Sequence, residues 1–71
     1  MKPNYPVGTK FNYRSDNAAK VCTVVDYHVT YNLAGEIVRA RYVATHDFLG
    51  HTMEERDITE VAVSRGLISV P

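Results

Sequence analysis

The stretch Val21–Asp57, VCTVVDYHVTYNLAGEIVRARYVATHDFLGHTMEERD, decides the fold. It reads as three strands joined by two look-alike turns, Asn32-Leu33-Ala34-Gly35 and Asp47-Phe48-Leu49-Gly50. Apolar and β-branched residues crowd both sides of the first turn, and such residues suit a pleated, half-buried surface. A four-residue hairpin loop is usually built on a type I turn. Gly35 then closes it at a positive φ, where a Cβ is costly. This spacing predicts Tyr31 opposite Glu36, with Val29, Tyr27, Val25 and Thr23 facing Val38, Ala40, Tyr42 and Ala44 on an inward, nearly apolar face. The outward face then pairs Thr30 with Ile37, His28 with Arg39, Asp26 with Arg41 and Val24 with Val43. A slip of one residue mixes the two faces, because side chains alternate with period two. The second turn repeats the pattern and predicts His46 opposite His51, Ala44 opposite Met53 and Tyr42 opposite Glu55, with Glu55 the misfit on an apolar face.

Working outward, Val7–Arg14 alternates Val7, Thr9, Phe11 and Tyr13 against Gly8, Lys10, Asn12 and Arg14. This predicts a first strand with its aromatic face inward. The residues before it, Met1–Pro6, carry two prolines and predict an extended arm. Ser15–Lys20 is polar, and its Ser-Asp-Asn run favours a turn through side-chain bonds to the backbone. On the other side, Asp57 and Glu60 have the spacing of a capping box, with Asp in place of Ser or Thr. Ile58, Val61 and Ala62 fall at helical spacing, Arg65 suits the negative end of a helix dipole, and Gly66 suits its end. The expectation is a short helix over 58–65, against a strand favoured by the β-branched Val61 and Val63. Leu67–Val70 is apolar and closes the chain as a last strand.

The elements expected are thus strands at 7–14, 21–31, 36–46 and 51–57, a helical turn at 58–65 and a closing strand at 67–70, in a single domain of 71 residues. Long hairpins are barely stable alone in water, and little helix is present to cover the apolar face. The sheet must therefore curl on itself. The fold class expected is mainly β, a small SH3-like, half-open antiparallel barrel with a short C-terminal helical turn.

Composition narrows the function classes. Eight Lys and Arg balance eight Asp and Glu, so no bulk charge draws the chain to nucleic acid or anionic membrane. A single cysteine, Cys22, forms no internal disulfide and fits a reducing, cytoplasmic setting. Prolines follow Lys2 where a secretory signal needs an apolar run. No apolar run approaches the ~20 residues that span a bilayer.

The run Thr30-Tyr31-Asn32, Gly35-Glu36, Arg41-Tyr42-Val43-Ala44, His46 and Gly50 resembles small uncharacterised proteins of tailed phages, prophages and plasmids of proteobacteria. Gly8-Thr9-Lys10-Phe11 is similar too, and the resemblance covers about residues 7 to 68. It implies a mobile-element origin and a soluble bacterial setting. It assigns no catalytic residue and no activity.

Three constellations carry chemistry. Opposed His46 and His51 beside Asp47 offer metal ligands, but a structural zinc site needs four, and Cys22 lies far off in register. No metal or other cofactor is therefore expected. Asp26, His28, Arg39 and Arg41 form an outward cross-strand strip, a candidate recognition site. Asp beside His invites acid–base chemistry, yet no nucleophile and no closed pocket accompany them, so no enzyme is expected. Cross-strand pairing is their structural reading, worth ~0.2–1 kcal/mol per pair. Cys22, Val24 and Val43 also point outward in this register, a possible contact patch that either the C-terminal segment or a partner covers. Aromatics interleaved with Lys10, Arg14, Lys20 and Arg39 suit stacking on single-stranded bases. The expectation is a non-catalytic binding module engaging a protein partner or a second copy of itself, with a nucleic-acid-binding small barrel as the alternative.

Overall fold

The computed structural model describes residues 3–15 and 18–71. Met1, Lys2, Asp16 and Asn17 lie outside the described residues, and with them the start of the expected arm and the Asp-Asn part of the expected loop. The elements are β1 (Lys10–Ser15), β2 (Ala18–Tyr31), β3 (Ile37–Phe48), β4 (His51–Ile58), α1 (Glu60–Arg65) and β5 (Leu67–Ser69). All strand pairs are antiparallel, in one sheet ordered β4-β3-β2-β1-β5. The fold is mainly β, as the sequence predicts. The sheet is open, with β4 and β5 as its edges.

The long β2–β3 hairpin departs from simple alternation. Val24 pairs with Ala44 and Asp26 with Val43, which leaves Val25 as a bulge. One inserted residue reverses which side chains face inward. Before the bulge Cys22 and Val24 point into the core; after it Tyr27 does, its ring 4.7 Å from that of Tyr42. The expected inward Val25 is instead 40% exposed. Residues 21–25 are apolar on both parities, so the sequence pattern there could not choose between faces.

The first turn forms where expected, but its loop is one residue longer, Asn32 to Glu36. Asn32 Oδ1 accepts from the main-chain N–H of Ala34 and Glu36, each at 3.0 Å, and Gly35 has φ 81°. Tyr31, however, pairs with Ile37 rather than Glu36, and a second irregularity follows before Thr30 pairs with Arg39. The second turn is tighter than expected. Phe48 pairs with His51, so only Leu49 and Gly50 lie in the loop, with φ 50° and 82°. Two successive positive φ values mark a type I′ turn, whose twist matches the strands. Asp47 and Phe48 thereby join β3. The register moves by two residues, which keeps each side chain on its face but changes every partner: His46 faces Met53 and Ala44 faces Glu55.

Phe11, Cys22, Val24, Tyr42, Ala44, Ile58 and Val63 form the core. The N-terminal segment and α1 cover it. Val7 is exposed and precedes β1, contrary to the expected strand over 7–14. Thr9 is buried, with its hydroxyl donating to Pro6 O at 2.7 Å. Thr9 also accepts at its carbonyl from Val24 N at 2.8 Å. The helix is shorter than the expected 58–65. Ile58 is buried at the end of β4 opposite Tyr42, so it cannot begin a helix. Thr59 caps α1 instead of Asp57, its hydroxyl accepting from Ala62 N at 3.2 Å. Gly66 is needed for space rather than for φ. A Cβ there would stand 1.9 Å from Asn12 O, because β1 and Gly66 meet backbone to backbone through Asn12 N and Gly66 O at 2.7 Å. Among the described residues no helix is long and apolar enough to cross a membrane.

Candidate functional site

The outer face of the sheet, away from the core, carries a cluster of polar residues. On β2 the bulge at Val25 turns Asp26, His28 and Thr30 outward, and on β3 alternation places Arg39, Arg41 and Val43 there. The observed pairs are His28 with Arg41, Thr30 with Arg39 and Asp26 with Val43. The expected pairs Asp26 with Arg41 and His28 with Arg39 are therefore not formed, because the register is displaced by two residues, though the four residues do share one face. A third bulge adds two more groups. Ala44 pairs with Glu55 and Tyr42 with Ile58, so Val43 alone faces both Arg56 and Asp57. Asp57 takes the left-handed backbone conformation, φ 59°, that this bulge requires.

His28, Thr30, Arg39, Arg41, Val43, Arg56 and Asp57 together line a hollow of about 140 Å³. The sequence pattern missed Arg56 and Asp57, because strict alternation sends neighbours to opposite faces. Only the bulge brings both beside the strip. Cys22 and Val24, expected outward, lie in the core at 0% and 1% exposure. Val43 does face outward but is 5% exposed, as the apolar floor of the hollow. The expected open contact patch of Cys22, Val24 and Val43 is thus absent, because the Val25 bulge reverses the face of the first two.

The charges of the hollow differ in how they are held. Arg39 is bound to Asp57 at 2.6 Å, and Arg56 to Glu54. His28 Nε2 lies 2.8 Å from Asp26 Oδ2. The His28 ring, and then the Tyr27 main-chain N–H, hold the Asp26 carboxyl below the usual carboxylate range. Arg41 is different. It is half-buried, and its Nη1 donates to Ala40 O at 2.8 Å. Among the described residues no carboxylate pairs with it. A guanidinium in that state keeps a set of N–H donors matched to a planar carboxylate.

The other predicted groups are separated. His46 meets Glu55 at 3.3 Å on the core side, where Lys20 Nζ also meets Glu55 at 2.6 Å. Lys20 above all holds the Glu55 carboxyl below its ordinary range. His51 sits exposed at the hairpin end opposite Phe48, so His46 and His51 do not oppose each other. Among the described residues no three His, Cys, Asp or Glu groups are arranged to hold a metal. Burial, with Glu55 adding, pushes the Cys22 thiol up, which leaves it a poor nucleophile. A second groove, of about 590 Å³, runs between β1 and α1 and is lined by Asn12, Tyr13, Arg14, Ala19, Ala62, Arg65 and Gly66. No family model matches the chain, and no curated protein and no solved structure matches it either.

Proposed function

We propose that this chain is a small, non-catalytic binding module that engages a protein partner through the outer sheet face at Asp26, His28, Arg39 and Arg41. One observation carries the reading: Arg41 is half-buried on a hollow with Arg39 and Arg56 and has no carboxylate partner among the described residues. At about 140 Å³ the hollow falls below the ~300–1,000 Å³ of small-molecule pockets. It suits one side chain of a partner better than a free ligand. The same face carries Asp26, Glu54 and Asp57 among the arginines, and mixed signs on rigid strands favour selectivity over raw affinity. A cytoplasmic setting and a mobile-element origin belong to this proposal, as does an SH3-like half-open barrel. Support for the last comes from strand number and from α1 and the N-terminal segment covering the inner face.

A second reading, a nucleic-acid-binding module, has one specific support. Tyr13, Arg14 and Arg65 line the β1–α1 groove, and no carboxylate lines it with them. Aromatic and basic groups in one groove suit single strands. Balanced net charge counts against it.

Affinity capture from a bacterial lysate with nuclease, comparing Arg41→Ala with Arg14→Ala, separates the two. The expected result is loss of the captured protein for Arg41→Ala and its retention for Arg14→Ala. The urea midpoint of Arg41→Ala should move little, because Arg41 pairs with no carboxylate among the described residues and its one hydrogen bond, to Ala40 O, is worth about 1 kcal/mol. Equal retention by both variants overturns the protein-partner reading. Binding to single-stranded DNA or RNA that weakens with salt and is lost in Arg14→Ala establishes the second.

A further inference from the structure

β3 is longer than the strand beside it. Its residues Ile37, Arg39, Ala40 and Arg41 pair with β2 on one side, with Val38 left out of register, while β4 pairs only within Tyr42 to Phe48 on the other. At Ile58 the chain leaves the sheet through Thr59 and enters α1. Above that point β3 presents an edge with no paired strand among the described residues, and the edge borders the hollow. Such edges are templates for another strand.

The side chains on this edge specify what would fit. Arg39 and Arg41 point outward, and Ala40 between them lies on the face that continues the core. Residues directly opposite on paired strands share a face. A strand laid here would therefore place acidic residues opposite Arg39 and Arg41 and an apolar residue opposite Ala40. A second copy of this chain does not meet that demand. Antiparallel pairing of the whole stretch Ile37–Arg41 with its own copy centres on Arg39 and sets it against itself, and like charges directly opposite are destabilising.

We infer that the free β3 edge at Ile37–Arg41 is a strand-addition site for an extended partner segment in which acidic and apolar residues alternate. The added strand continues the line of β4. Main-chain hydrogen bonds to β3 supply affinity, and a carboxylate on Arg41 fixes register, with Arg39 shared between Asp57 and the partner, in the manner of peptides that extend a sheet. Arg41 donates one N–H to the carbonyl of Ala40 and keeps its other N–H groups for a carboxylate. The inference rests on the protein-partner reading and specifies the partner's chemistry.

The test titrates the isotope-labelled full chain with acetyl-Val-Glu-Val-Glu-Val-amide and follows the amide resonances. Shifts centred on residues 37–41 are expected, and Arg41→Ala should weaken binding by about tenfold. The matching Lys peptide, Val-Lys-Val-Lys-Val, should not bind. Methylating one alternate set of peptide nitrogens should abolish binding, and methylating the other set should not, because only one set faces β3. No shifts at 37–41 up to millimolar peptide, or equal binding of the Lys peptide, overturns the inference and leaves the two arginines as protection of a bare edge. Tolerance of both methylated peptides overturns strand addition alone, since an acidic peptide would then be held by the face without the edge. Failure of the capture experiment with peptide binding intact would instead remove the protein-partner reading as a cellular role.

Discussion

Tyr42 joins three parts of the chain through one hydroxyl. Its oxygen accepts from Asn4 N at 3.1 Å and Tyr5 N at 3.2 Å, and it donates to Glu60 Oε1 at 3.2 Å. The ring is fully buried between Tyr27 and Tyr5. Burial pushes the phenol's pKa up and Glu60 adds to that, so the group stays protonated and able to donate at neutral pH. The N-terminal segment and the start of α1 both depend on this atom. Tyr42→Phe keeps the ring and removes the oxygen, which strands two main-chain donors in a partly buried place. The expected cost is about 1–3 kcal/mol, read as a lower urea midpoint. The amides of Asn4, Tyr5 and Glu60 should lose protection from exchange before those of β2 and β3 do. An unchanged midpoint would mean that water replaces the hydroxyl at no cost and that the lid over the core is held by packing alone.

The strands, the two turns and the short helix were legible in the sequence, because apolar alternation and Asn/Asp…Gly spacing are local signals. The bulges were not. At Val25 both parities of residues 21–25 are apolar, so pattern alone could not show a reversal of face. At Arg56–Asp57 the reversal depends on a left-handed Asp, which no local rule demands. The four strip residues share one face because Asp26 and His28 lie beyond the Val25 bulge on β2, while Arg39 and Arg41 follow plain alternation on β3. The expected contact patch is absent because Cys22 and Val24 lie before the bulge. The second turn shows the same limit: Asp47–Gly50 reads as a four-residue loop, yet Leu49 and Gly50 alone make it. Leu49 pays for this with a positive φ and is 84% exposed, so its side chain gains little from packing. Type I′ turns favour Asn-Gly at these two positions. Leu49→Asn should therefore raise stability by about 0.5–2 kcal/mol, seen as a higher urea midpoint with unchanged slope. A lower midpoint would show that Leu49 makes contacts that matter to the fold.

At the scale of the molecule, support is distributed unevenly along the 44 Å of its longest dimension. At Cys22–Val24 and Tyr42–Ala44 the central hairpin is flanked by β1 or the N-terminal segment on one side and β4 on the other, with the core beneath. Beyond Asp26 and Arg41, among the described residues, only β2 and β3 remain, paired with each other. Tyr31, Leu33, Ile37 and Val38 are all exposed on this projecting arm. A two-stranded ribbon is marginal in water, so its stability is borrowed from the sheet at its base. Amide exchange should grade along the hairpin, slowest at residues 22–24 and 42–44 and fastest near the Asn32–Gly35 loop, with opening energies falling well below that of global unfolding. The gradient should not change with protein concentration in an isolated monomer. An acidic, alternating peptide on the β3 edge should slow exchange at Ile37–Arg41 and at their β2 partners together, because a third strand supports both. Arm amides already protected to the level of the core, with protection that fades on dilution, would show that copies of the chain cover the arm themselves, and self-association would then replace an acidic partner as the occupant of this face.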